Sequence, residues 1–235
     1  MPSSLAVLGR RYFGGTALTL ALSATNMLPM PAAAQTSPAG MQPQAGYYRA
    51  KIGAVNLTAL SDGTIPMPLH ELLTNTTPAE VDKLLANARL AYPVEGSVNA
   101  YLLELGTRLV LVDTGAGTLL GPTVGHVVTS LKAAGYQPEQ ITDILITHIH
   151  TDHTGGLMNG PQRAFPNATV HMSKAETDFW LSDANLKSAP AGAKKYFEEA
   201  RANVGPYVAA GKVQEFTGNT ELFPGIRTIA SPGHT

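Results

Sequence analysis

The sequence contains no cysteine. That excludes disulfides, a thiol nucleophile, thiolate-ligated zinc and a lipid-anchored N-terminal cysteine, so any transition-metal site must be assembled from His, Asp and Glu. Charge is scarce too: Asp, Glu, Lys and Arg make up 14% of the chain, the net charge is −1, and there is neither a basic block nor an acidic tail. The electrostatic footprint of a nucleic-acid partner or of an anionic membrane surface is therefore missing. What is present is apolar: 44% of the 235 residues are hydrophobic, enough for a packed globular domain. The 23 glycines and 17 prolines call for many turns, as a mixed α/β fold requires.

The first residues read as an address. Arg10 and Arg11 precede an apolar run from Ala17 to Leu28, and Ala32-Ala33-Ala34 supplies a small-residue end. This pattern predicts a secretory signal over 1–34, cleaved after Ala34, with a twin-arginine character given by Arg10-Arg11 and Phe13. A protein exported folded and metal-loaded to the periplasm or medium is the expectation. The run is too short and interrupted for a stable membrane anchor. Residues 35–46 read as a flexible lead-in and 47–235 as one domain.

Within that domain, 50–64 alternates like strands, and 77–90 reads as a helix with Thr77 as N-cap, Pro78 first and Glu80 closing a capping box. Residues 99–105 and 108–114 flank Gly106-Thr107 as a hairpin, 122–135 has helical periodicity, 141–148 is an apolar strand, and 168–172 is a short strand. Residues 173–183 open with a second capping box, Ser173 with Glu176. A helix over 191–210 is expected to break near Gly205-Pro206, and IRTIA is strand-like before the final SPGHT. One α/β domain is the simplest account.

Seven histidines occur in the chain, and three fall within THIHTDHTGG at 147–156. His148, His150, Asp152 and His153 directly follow an apolar strand, and Gly155-Gly156 permit a tight bend. Unpaired buried groups of this kind would be costly, so the pattern points to metal. Imidazole with carboxylate suits zinc, manganese, iron or cobalt better than calcium. Four ligands are too many for one tetrahedral ion that also keeps a place for substrate, so they read as two half-sites. His234, in another strand–Pro–Gly–His turn, is the candidate third imidazole of the first ion. His70, His126 and His171 have no partners in the sequence and read as surface or packing residues. Asp113 either shapes a strand-end turn or orients a ligand imidazole.

THIHTDHTGG, with LVLVDTGAG (109–117) upstream and SPGHT downstream, resembles the metallo-β-lactamase superfamily motif H-x-H-x-D-H. ALSDGT (59–64), GPT (121–123), LKAAGYQPEQ (131–140), DFWLS (178–182) and FTGNTELFPGI (216–226) are similar to its methyl parathion hydrolase-like branch. The resemblance runs from about Tyr47 to Thr235. It implies an αββα sandwich and two divalent metals, zinc first, with manganese, iron or cobalt as alternatives. His148, His150 and His234 would hold one ion, and Asp152 and His153 would begin the second site. Asp152 would also be available for proton handling, and a bridging hydroxide would be the nucleophile. The implied substrate is a small neutral ester: an organophosphate triester, lactone or aryl ester. Leu120, Trp180, Tyr196 and Phe197 are candidate pocket residues, with Leu120 standing where the branch carries an aromatic ring. The family pattern continues past the GH turn to a bridging aspartate and a final histidine, so an N-terminal portion with its C-terminal part missing is expected, with an exposed sheet edge. A β-lactamase, a glyoxalase-II-like thioesterase, a homodimer, and a catalytically incomplete fragment all stay open.

Overall fold

Alternation along VNLTALSDGTIPM buries Thr58, Leu60 and Asp62 on one side of a long strand, whose register with its neighbour shifts at a bulge between Ser61 and Gly63. From such patterns a computed structural model, describing residues 44–235, builds a mixed α/β domain. The leader expected over 1–34 and nearly all of the lead-in lie outside the described residues. The elements are β1 (Tyr47–Ile52), β2 (Val55–Met67), α1 (Leu69–Leu72), α2 (Pro78–Asn87), β3 (Val94–Leu105), β4 (Arg108–Val112), α3 (Val127–Ala133), β5 (Asp143–Leu145) and α4 (Thr151–Thr154). They continue with β6 (Met158–Asn159), β7 (Gln162–Arg163), β8 (Thr169–Ser173), α5 (Lys174–Trp180), α6 (Asp183–Ser188), α7 (Lys194–Ala209), β9 (Val213–Phe216), β10 (Glu221–Phe223) and β11 (Ile226–Arg227). Among the described residues no helix is long and apolar enough to cross a membrane.

Seven strands form one sheet in the order β1-β2-β3-β4-β5-β8-β9. Strands β1 to β4 pair antiparallel, whereas β4, β5, β8 and β9 run parallel. Parallel strands end on the same side, so the loops after β4 and β5 and the start of α5 after β8 emerge together. That edge is where α/β sheets present ligand sites.

One sheet face packs Leu60, Leu102, Leu111, Ile144 and Val170 against Leu131, Trp180, Phe197, Val204 and Tyr207 of α3, α5 and α7. The other carries a buried ion-pair group. Asp143 accepts from Arg108 Nη1 at 2.8 Å and lies 2.9 Å from His171 Nε2. Burial raises the Asp143 carboxyl, but hydrogen bonds from His171, Thr142 and Arg108 outweigh it and hold it below its usual range. Phe223 of the β10–β11 ribbon meets the His171 ring edge-on at 5.2 Å. His171 thus has a packing role with a definite partner. His70, on the surface, likewise pairs with Asp82 at 2.9 Å and stacks on Tyr92.

Several expected boundaries move, each for a tertiary reason. The helix at 77–90 stops at Asn87, because Arg89 enters the left-handed region at φ 57. The helix expected from Pro122 begins only at Val127, whose N–H donates to the buried Asp62 carboxylate. The strand expected to reach His148 leaves the ladder after Leu145, since Thr147 N–H donates to Asp113 Oδ1 instead. Residues 173–183 split into α5 and α6, with Ser182 capping the second. Helix α7 runs unbroken through Gly205-Pro206. An interior proline costs about 3 kcal/mol, which is offset by burying Phe197, Ala200, Val204 and Tyr207 along one face. The strand expected over IRTIA is only Ile226–Arg227.

Candidate metal centre

The backbone delivers the ligands by alternation and a turn. His148 and His150 straddle buried Ile149, so both imidazoles leave the same side of the chain, and α4 begins at once behind them with His150 as its N-cap residue. His148 Nε2 lies 3.0 Å from His150 Nδ1, and that nitrogen lies 3.2 Å from His234 Nε2. All three donor atoms fall within 4.8 Å of one another, the one group of three or more potential ligands found among the described residues. A tetrahedral ion with bonds of 2.0–2.1 Å spaces its donors about 3.3 Å apart, so this set fits zinc with a fourth position free.

Electrostatics favour the same state. Burial and the neighbouring positive imidazoles of His153, His150 and His234 push His148 down to about 4. Burial and His234 lower His150 as well. Both rings are neutral at pH 7, with lone pairs available.

His153 is the opposite case. Its Nδ1 lies 2.8 Å from Asp113 Oδ2 and its Nε2 lies 3.2 Å from Asp152 Oδ2. Burial lowers its pKa, but the two carboxylates more than reverse that and lift it to about 10. Asp152 is raised by burial but lowered on balance by His153. Asp113 therefore both shapes the strand-end turn, at φ 56, and orients a ligand-type imidazole, leaving Nε2 facing Asp152. Its carboxylate is fixed in turn by Thr147 N–H and the Thr147 hydroxyl.

Two loops hold this arrangement by packing backbone on backbone. Thr114 N–H and its hydroxyl both donate to the His153 carbonyl, at 2.9 and 2.8 Å. A β-carbon at Gly156 would lie 1.9 Å from the Thr114 carbonyl oxygen, and one at Gly155 would lie 2.1 Å from that of Ala116. Behind them Asp62, fully buried, accepts from Ala116 N–H and Val127 N–H.

The candidate pocket residues separate. Trp180 is buried and presents its ring edge-on to His150 at 5.5 Å, with Phe197 beneath it at 4.8 Å. Phe197 is 4% exposed, so it supports the wall from the core and does not line the opening. Leu120 and Tyr196 are exposed side chains. A cleft of about 700 Å³ lies behind the glycine contacts, lined by Thr114, Gly117, Gly156, Lys132, Met158 and Arg163 and by none of the histidines. The histidine cluster itself opens directly to the surface.

Sequence reading missed Glu176 and Glu199. Glu176 Oε2 accepts from Ile149 N–H at 2.7 Å, and Glu199 Oε2 accepts from the Thr151 hydroxyl at 2.6 Å. Glu176 had the look of a capping-box member, but Ser173 caps Ala175 N–H and the Glu176 carboxylate reaches into the histidine loop.

The family model described as the metallo-beta-lactamase superfamily matches residues 93–235. The chain belongs to this superfamily. An N-acyl homoserine lactonase from a Bacillus species is 30% identical over 154 residues, covering 57% of this chain and 53% of its own length. The chain thus spans about half the length of the curated relatives it matches. Among solved structures, the hydrolase AbOPH is 35% identical with a TM-score of 0.69, covering 75% of this chain and 62% of that one. AidC, a dizinc quorum-quenching lactonase, is 27% identical with a TM-score of 0.69, covering 76% and 64%. The superfamily fold agrees with the large mixed sheet, and its metal chemistry agrees with the three-imidazole cluster.

Proposed function

We propose that the protein is a metal-dependent hydrolase of small neutral esters, with lactones first to test and organophosphate triesters and aryl esters beside them. The observation that carries this reading is the convergence of three imidazole nitrogens, two of them on rings with lowered pKa, at a surface opening. His148, His150 and His234 would hold one divalent ion, zinc by the spacing of the donors, and Asp152 with His153 would contribute to a second. Bound there, the metals supply Lewis acidity and a water of lowered pKa.

The chain's own residues do the rest. Asp113 and Thr147 fix the tautomer of His153, so Nε2 is the nitrogen offered. Asp152, held ionised, accepts a proton at its carboxylate during turnover. Trp180 forms an apolar wall beside His150, suited to an acyl or aryl group. The lactonase relatives support the substrate class.

The test is side-by-side turnover of N-hexanoyl homoserine lactone, methyl parathion and nitrocefin by the zinc-supplemented protein and by His150→Ala. Turnover of the lactone or the triester, lost in His150→Ala together with bound zinc, is the expected result. Cleavage of nitrocefin alone would overturn the ester reading.

A further inference from the structure

Three histidines 86 residues apart in sequence, from His148 to His234, meet only if two separate loops are held together. One contact between ring nitrogens, His150 to His234 at 3.2 Å, spans the gap, and the positive forms of these rings repel. A firmer tie between the histidine loop and the GH turn comes from elsewhere.

One side chain touches both. Glu176 stands in the first turn of α5, which follows β8, and β8 pairs with β5, the strand that feeds the histidine loop. Its Oε2 accepts from the N–H of Ile149, the residue between His148 and His150. Its Oε1 accepts from the hydroxyl of Thr235, the residue after His234. Each bond lands one residue from a ligand, so moving either loop relative to the other must break one of them. Charged acceptors make such hydrogen bonds roughly twice as strong as neutral ones.

A helix-capping role alone would not need this geometry. Ser173 already caps the helix through Ala175 N–H. A carboxylate serving only the helix would turn back to its own first turn, as the N3 member of a capping box does.

We propose that Glu176 is the positioning residue of the metal centre, a latch that carries His234 to His148 and His150 and sets the affinity of the first ion. Glu199, through the Thr151 hydroxyl, braces the same loop from α7 but touches only one side of the gap. The inference rests on the metal reading above.

The experiment compares the full chain with Glu176→Ala, Glu176→Gln and Thr235→Val, with His234→Ala as the reference for a lost imidazole. Zinc affinity is read by chelator competition, cobalt coordination by visible absorption, and folding by circular dichroism. Residues that orient ligands from behind typically change metal affinity 10–100-fold when removed. Glu176→Ala is expected to lose affinity by about that factor. Its cobalt bands should weaken to match His234→Ala, since one imidazole no longer reaches the ion. Glu176→Gln, which keeps both acceptor geometry and size in part, should recover some of the loss. Thr235→Val removes one arm only and should fall between wild type and Glu176→Ala. It also carries the test if Glu176→Ala does not fold.

Wild-type affinity with an unchanged cobalt spectrum in Glu176→Ala, or in Thr235→Val where the alanine variant is unfolded, overturns the latch while leaving the metal reading intact. Absence of zinc binding by the wild-type chain overturns the metal reading, and the latch with it.

Discussion

His148 and His153 share one short loop yet titrate on opposite sides of neutrality, at about 4 and about 10. Burial and neighbouring imidazoles depress the first, while Asp113 and Asp152 overcome burial to raise the second. At pH 7 His148 and His150 have free lone pairs, but His153 holds a proton that must leave before Nε2 can bind an ion. Zinc titrated calorimetrically in buffers of differing ionisation enthalpy should release about one proton from His153 for occupancy at Asp152 and His153, and almost none from His148 or His150. Asp113→Asn, tolerated at φ 56 because asparagine enters the left-handed region readily, should reduce that release. An unchanged proton count would contradict the assignment. The same values give the metal-free chain one acid and one alkaline slope in stability. The folded pKa of His148 lies below the unfolded value of about 6.5, so stability falls as pH drops from about 6.5 towards 4. The folded pKa of His153 lies above it, so that contribution is present below about 6.5 and is lost as pH rises towards 10. Melting temperature against pH checks both slopes. At this scale the clustering was readable: His148, His150, Asp152 and His153 lie within six positions, and local spacing carries most of their geometry. Glu176 was not readable, because the helix start around it satisfies a local pattern while its actual partners lie 27 and 59 residues away.

At the scale of elements, the strands and helices that position the site follow from periodicity, but their ends do not. The α3 start is decided by Asp62, 65 residues away. The end of β5 is decided by Asp113, which takes the N–H that would have continued the ladder. Local signals cannot foresee a donor captured from another element. The helix expected to break at Gly205-Pro206 survives for a related reason: propensity is a weak prior against a buried face. The loops after β4 and β5 touch main chain to main chain at Gly155 and Gly156, beside the side-chain bonds of Asp113 and Thr114, and this makes a sharp prediction. Gly156→Ala would place a β-carbon 1.9 Å from a backbone oxygen that has no rotamer to change. It should cost about 3 kcal/mol or more, read as a lower denaturant midpoint, whereas alanine at Gly192, where nothing lies within 4 Å of the new β-carbon, should have little effect. Equal midpoints would show that the loops can separate without penalty.

For the molecule as a whole, the clustered imidazoles come from positions as far apart as 148 and 234, so an ion held between them would bind the folded chain in preference to the unfolded one. Free zinc at 100 times its dissociation constant should add about 2.7 kcal/mol, which for a domain of this size is a rise in melting temperature of about 5–10 °C. Scanning calorimetry with and without zinc measures it, and His150→Ala should show no rise. A wild-type chain insensitive to zinc would remove the metal centre from the account. The fold class was legible because hydrophobic periodicity and turn residues are local quantities. The single mixed sheet and its order were not, because they depend on pairings between strands far apart in the chain.

The glycine seam between the loops after β4 and β5 also divides the site into what can vary and what cannot. Where main chain touches main chain at Gly155, Gly156 and Gly117, no side chain can be exchanged for another, and neither loop can change without the other. Exposed Leu120 and Tyr196 lie outside that constraint. Divergence towards new substrates, in nature or in a mutant library, is thereby steered to the rim, while the chemistry is inherited as one inseparable block.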